Sequence, residues 1–166
     1  MARQLWLLRH AEAEPHGTRS DSERRLTVRG EAQARAAGVA LARLQADFEL
    51  VLFSPKVRAR QTAELAAEGW GSEQRERLRV HAPLAGGFDR QDALDALITP
   101  NADARVLLVG HEPDFSRLIG ELTGGIVDLK KGGLAVVRLE GAGGELVVLL
   151  RPRELALIAG VPADGN

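Results

Sequence analysis

Cysteine is absent from this 166-residue chain. That excludes disulfide staples, a thiolate nucleophile and cysteine-based zinc sites. Long apolar runs are missing too. The longest fall far short of the ~18 residues a membrane-spanning helix needs, so no membrane partner is expected. Neither sign of charge is in excess: net charge is −1 at 45% apolar content, which gives no general pull toward nucleic acid. Lysine is scarce, with only Lys56, Lys130 and Lys131 beside many arginines. Genomic base composition accounts for most of those arginines. Met1-Ala2-Arg3-Gln4 runs into a strand without a secretory apolar region, so a cytoplasmic protein is expected. At this length one domain, residues 1–166, is the default.

Three apolar runs stand out by how they end. Leu5-Trp6-Leu7-Leu8 stops at Arg9-His10. Val51-Leu52-Phe53 leads into Ser54-Pro55-Lys56-Val57-Arg58, and Val106-Leu107-Leu108-Val109 into Gly110-His111-Glu112-Pro113. None alternates, as expected of strands buried on both faces. As neighbouring parallel strands they would gather Arg9, His10, Arg58 and His111 at their carboxyl ends, where open α/β sheets bind ligands.

The remaining pattern predicts the elements between. Ala11 to Arg25 reads as a polar loop, with Glu12, Glu14, Asp21 and Glu23 on a solvated face. Thr27 offers a cap to an amphipathic helix over about 28–46. Gly30 in its first turn has no evident reason. Ser54 and Pro55 read as N-cap and N1 of a helix to about Glu68. A strand over Leu78–His81, a loop over Pro83–Phe88 and a helix over Asp89–Ile98 follow. Pro113 reads as N1 of a helix to Leu122, stopped by Gly124-Gly125. A hairpin over Leu134–Leu139 and Glu145–Leu150 and a short helix over Pro152–Ala159 complete the chain, whose end frays. Lys130-Lys131 reads as a solvated turn, and His16 and His81 as surface residues. The fold expected is a three-layer α/β sandwich of helix, sheet and helix, mostly parallel with a late antiparallel element.

Two arginines and two histidines suit a phosphoryl dianion. Each guanidinium can donate two parallel hydrogen bonds, and helix N-termini near Pro55 and Pro113 add N–H groups. A neutral imidazole can attack phosphorus and carry it. Nearby cations favour that neutral form. His10, rigid behind its strand, is the expected nucleophile, and His111 its partner on the phosphoryl oxygens. Arg9 and Arg58 would repel a divalent cation, so a metal site is not expected.

These residues also carry a resemblance. Leu8-Arg9-His10-Ala11 resembles the Arg-His-Gly signature of the histidine phosphatase (phosphoglycerate-mutase-like) superfamily, with Ala11 in place of glycine. Leu26 to Ala34 is similar to its Leu-Thr-x-x-Gly-x-x-Gln-Ala segment, and Ser54 to Ala63 to its Ser-Pro-x-x-Arg-x-x-Gln-Thr-Ala segment. Gly110-His111-Glu112-Pro113 resembles the version found in SixA-type phosphohistidine phosphatases. The resemblance implies His10 as the phosphorylated residue, with Arg9, Arg58 and His111 completing the phosphate pocket, and no cofactor. Many branches supply an acid from the loop after the third strand. Here only Asp89 stands there, with Glu112, Asp114 and Glu12 as other candidates. An ester expels an alkoxide and needs a positioned acid; a phosphoramidate needs it less. The expected substrate is therefore a phosphohistidine protein. A small phosphorylated metabolite, or a non-catalytic role in phospholigand binding, is the alternative.

Overall fold

The computed structural model describes residues 2–98 and 101–162; residues 163–166, within the end where fraying is expected, lie outside the described residues. Six strands form one mixed sheet: β1 (Gln4–Arg9), β2 (Leu50–Phe53), β3 (Leu78–Val80), β4 (Arg105–Gly110), β5 (Leu134–Glu140) and β6 (Gly143–Leu150). Their order is β3-β2-β4-β1-β5-β6. The first four run parallel, while β5 pairs antiparallel with both β1 and β6. Helices α1 (Val28–Arg43), α2 (Val57–Ala67), α3 (Ser72–Arg75), α4 (Arg90–Ala96), α5 (Asp114–Thr123) and α6 (Pro152–Ala159) connect or flank them.

The two faces of the sheet build separate cores. Trp6 and Leu8 point into one, with Phe48, Val51, Leu107 and the small residues of α1 and α2. Leu5 and Leu7 point into the other, with Val106, Leu108, Phe115 and Leu118. Each such leucine contributes about 1.5–3 kcal/mol. Burial on both sides is why β1 and β4 show no alternation in the sequence. The expected three-layer α/β architecture is the one observed.

Several boundaries differ from expectation for local reasons. Pro55 does not open α2; the helix begins at Val57 behind Lys56, and Ser54 Oγ accepts the Lys56 N–H instead, at 3.2 Å. Pro113 is the N-cap of α5 rather than its first residue. α1 ends at Arg43, before Gln45 turns into the left-handed region at φ 55°. α4 is shorter than expected at both ends, because Asp89 caps it from outside in a reciprocal pair with Asp92. The loop after β1 is not free either. It pairs Ala13 with Leu26 and contains a 3-10 turn at Asp21–Glu23.

Candidate active site

The parallel strands end side by side, and their ends carry the expected residues. His10 N–H donates to the Gly110 carbonyl at 3.0 Å, and Ser54 N–H to the Val109 carbonyl at 3.0 Å. The His10 and His111 rings lie 5.3 Å apart. Arg58 reaches the same place from the first turn of α2, its Nε 3.3 Å from His10 Nε2. Arg9 is the last residue of β1 and is held by donating from Nη1 to the Leu129 carbonyl at 2.9 Å.

The protons of His10 follow from its partners. Nδ1 lies 2.7 Å from the Ala11 carbonyl, which can only accept, so Nδ1 carries hydrogen. Nε2 faces Arg58 Nε, which can only donate, so Nε2 carries a lone pair. Burial first, opposed by the bond to the Ala11 carbonyl and joined by His111, Arg58 and Arg9, brings the His10 pKa down to about 3. The ring is neutral. The contact to Arg58 is long for a hydrogen bond, so the guanidinium exchanges it readily for an anionic oxygen.

His111 is neutral for similar reasons: burial, then Arg58 and Lys56, bring its pKa to about 3. Its Nε2 lies 2.7 Å from Ser54 Oγ. That oxygen already accepts the Lys56 N–H and has both a hydrogen and a second lone pair to offer Nε2, so the bond fixes the orientation of the ring. Among the described residues, His111 Nδ1 and Arg9 Nε are buried polar atoms without a partner. Buried polar groups of this kind are costly unless a ligand satisfies them. Burial also lowers both arginine pKa values, opposed by Glu112 and Asp128 at Arg9 and by Asp21 at Arg58.

The loop after β1 takes a larger part than a solvated face would. Arg58 Nη1 donates to the Asp21 carbonyl at 2.7 Å and Nη2 to its carboxylate at 3.3 Å. Lys56 and Arg24 donate to the same carboxylate. Lys56 and then Arg24, with the nearby charge of Arg58, hold the Asp21 carboxyl well below the usual carboxylate range. Asp21 is thus a permanent anion that aims three cations, and not a proton donor. Glu12 is also engaged, accepting from Thr27 at 2.9 Å and Arg29 at 3.1 Å. Only its place in a charged loop could have pointed to Asp21.

Motif residues without an assigned role turn out to brace that loop. Thr27 caps α1 through the Gly30 N–H, and Gln33 Oε1 accepts the Glu12 N–H at 3.0 Å. Gln61 Oε1 accepts the Leu26 N–H at 2.8 Å. Thr62 donates to the Arg58 carbonyl and accepts the Ala11 N–H at 3.1 Å, linking α2 to the residue behind His10. Gly30 gains its reason: a Cβ there would stand 1.9 Å from the Glu12 carbonyl oxygen.

The acid candidates are placed less uniformly. Asp89 Oδ1 accepts the Asp92 N–H at 2.9 Å, in the cap of α4. Asp114 is buried against the Phe88 N–H and Arg117. Glu112 accepts the Ser116 N–H and lies near enough to Arg9 to affect it. His16 is exposed, 3.9 Å from Asp21. His81 is half-buried rather than on the surface, edge-on to Phe88. Among the described residues no cluster of three or more His, Asp or Glu is arranged to hold a metal.

Comparison with known proteins agrees with this geometry. The model of the histidine phosphatase superfamily (branch 1) matches residues 5–81. An uncharacterized protein of Picosynechococcus is 30% identical over 169 residues, spanning 92% of this chain and 98% of its own. The structure of the protein histidine phosphatase SixA complexed with tungstate superposes with a TM-score of 0.75 at 26% identity, over 92% of this chain and 99% of that one. A candidate phosphohistidine phosphatase SixA from Nakamurella multipartitia gives a TM-score of 0.76 at 28% identity, over 92% and 97%.

Proposed function

This chain belongs to the histidine phosphatase superfamily and is a phosphatase; from that membership we propose that it hydrolyses phosphohistidine through a covalent intermediate on His10. The observation that carries the proposal is the tautomer of His10. Its Nδ1–H is spent on the Ala11 carbonyl, and its Nε2 lone pair lies among Arg9, Arg58 and His111. Tungstate, a tetrahedral oxyanion, is bound by the related SixA, which supports reading the pocket as a phosphoryl site.

The reaction takes two displacements. His10 Nε2 attacks phosphorus, the P–N bond of the substrate breaks, and the transferred PO3 group stays on Nε2. The substrate ring, which has already taken a proton from water on its other nitrogen, leaves with the bonding pair as a neutral imidazole. Water then attacks the same phosphorus. The P–Nε2 bond breaks, His10 regains its lone pair, and phosphate departs with the protons of the water. Arg9 and Arg58 stay fixed opposite the phosphoryl oxygens, as an electrostatically preorganised site requires, and the His111 ring, its Nδ1 without a protein partner, stands beside them.

The choice of phosphohistidine rests on the acids. An alkoxide leaving group needs a proton from a positioned acid in the transition state, whereas a phosphoimidazole can take its proton from water on the distal ring nitrogen beforehand and then leaves neutral. Asp21 stays ionised, Asp89 caps a helix, Glu12 is held by Arg29 and Thr27, Asp114 by the Phe88 N–H and Arg117, and Glu112 accepts the Ser116 N–H. The test is chemical. The enzyme is mixed with phosphoramidate, quenched at high pH and mapped by mass spectrometry. Phosphate on His10, absent in His10→Ala together with about 10³-fold or more of the turnover, is the expected result. Phosphate release without any label on His10 would overturn the mechanism.

A further inference from the structure

A second concavity opens beside the phosphoryl pocket. It is a cleft of about 470 Å³ whose walls include Arg9, Glu12, Arg29, Lys130, Lys131 and Arg151. Arg9 belongs to both, so the cleft begins where the phosphoryl group would sit. Its floor is tied to the nucleophile. Gly132 N–H donates to the His10 carbonyl at 2.9 Å, Arg9 N–H to the Gly133 carbonyl at 3.0 Å, and Arg9 Nη1 to the Leu129 carbonyl. Gly132 makes the turn possible at φ 75°, a region other residues rarely adopt. Two of the three lysines of the chain thus stand at a fixed place beside His10.

The cleft holds five cations and is not saturated by its carboxylates. Glu12 is bound to Arg29, Asp128 to Lys130 at 2.6 Å, and Glu154 to Arg151. The Lys130 and Arg151 pairs are exposed, and such pairs are worth about 0–1 kcal/mol. A ligand carboxylate exchanges with them at little cost. Lys131 has no ion pair among the described residues. Past Arg29, Gln33 and Pro152 a smaller hollow of about 60 Å³ continues over Ala32, Ala36, Arg153 and Ala156, between α1 and α6. A cationic start followed by such a hollow is longer than a metabolite needs. No aromatic side chain lines either part, so nothing there would stack a base.

We propose that this cleft docks acidic residues flanking the phosphohistidine of a polypeptide substrate. The inference rests on the phosphohistidine reading and names the substrate that reading leaves open. An extended chain advances ~3.3 Å per residue, so carboxylates within one to three residues of the phosphorylated one fall along the cleft. Complementary charge of this kind speeds association and selects partners, and salt weakens it.

The experiment compares three donors: phosphoramidate, a phosphohistidine peptide flanked by Asp and Glu, and the same peptide flanked by Asn and Gln. The readout is the kcat/KM ratio of acidic to neutral peptide. The wild-type ratio is expected at about tenfold or more, falling toward one in Lys130→Ala/Lys131→Ala and, for the wild type, in about 0.5 M NaCl. Turnover of phosphoramidate by the variant shows that its fold persists. A wild-type ratio near one, or a ratio unchanged in the variant, overturns the proposal. So does a variant that treats the peptides as the wild type does but loses affinity for a small bisphosphate, which would give the cleft to a metabolite. Hydrolysis of phosphomonoesters with all three donors untouched has a different signature. It refutes the phosphohistidine reading itself, and the docking site with it.

Discussion

At His10 and His111 the low pKa values, each about 3, arise first from burial, and they link the site to stability. In the unfolded chain both rings have ordinary pKa values near ~6.5. As pH falls below that value the unfolded state takes up protons that the folded state refuses. Acid therefore favours unfolding. The stabilising contribution is complete above about pH 6.5 and is lost progressively toward pH 3. Urea midpoints measured between about pH 6.5 and 4.5 should fall with acidity, by at most ~1.4 kcal/mol per pH unit for each ring. His10→Ala/His111→Ala should flatten that slope, and an unchanged slope would place its origin elsewhere. Ser54 supplies a second residue-scale prediction. Ser54→Ala removes the hydroxyl 2.7 Å from His111 Nε2 and releases the ring from its fixed orientation. A loss of about 1 kcal/mol, or five- to tenfold in kcat with the fold retained, is expected from steady-state kinetics. Asp21→Asn should raise KM more than it lowers kcat, because its carboxylate aims Arg58 and Lys56 without touching the reacting atoms.

The elements work by holding the loop after β1 against the strand ends. The N-terminus of α1 does most of this. Thr27 caps the helix and also reaches Glu12, while Gly30 lets the Glu12 carbonyl approach closer than any side chain would allow. Gly30→Ala should cost about 1–3 kcal/mol by overpacking, seen as a fall in Tm. It should lower activity as well, since the displaced backbone leads to Ala11 and His10. Thr27→Ala should cost about 1 kcal/mol. The hydrogen bonds of α2 explain why its Gln61 and Thr62 accompany Arg58. They fasten the helix that carries the guanidinium to Leu26 and Ala11. A Gly30→Ala variant with wild-type Tm and activity would show that the contact yields without consequence.

For the molecule as a whole, a ligand that binds only the folded state stabilises all of it. Tungstate at about 100 times its Kd should add ~2.7 kcal/mol, which for a chain of this size raises Tm by about 5–10 °C. Arg58→Ala should abolish most of the rise in a thermal melt. An equal rise in that variant would mean the oxyanion binds away from the strand ends.

What the sequence by itself determined is most of the elements, though not the short α3, and which charged side chains follow the apolar runs. Apolar runs buried on both faces must be central strands, and a cation or imidazole straight after such a run can only stand at a strand end. The places of Arg9, His10 and His111 at strand ends were therefore legible from local pattern, as were Arg58 at a helix start, the late hairpin and the glycine stop after α5. Asp21, Gln33 and Thr62 were not. Each acts on a backbone or side chain 20 to 50 positions away, and no local periodicity records such a contact. The same holds for the paired lysines beside Arg9, which read as an ordinary turn until the turn is docked on β1. Local sequence sets strand and helix because those depend on neighbouring residues. Which loop carbonyl meets which helix, and which charges share a cleft, only the tertiary structure decided, because those contacts exist only once the sheet order β3-β2-β4-β1 has brought distant strand ends together.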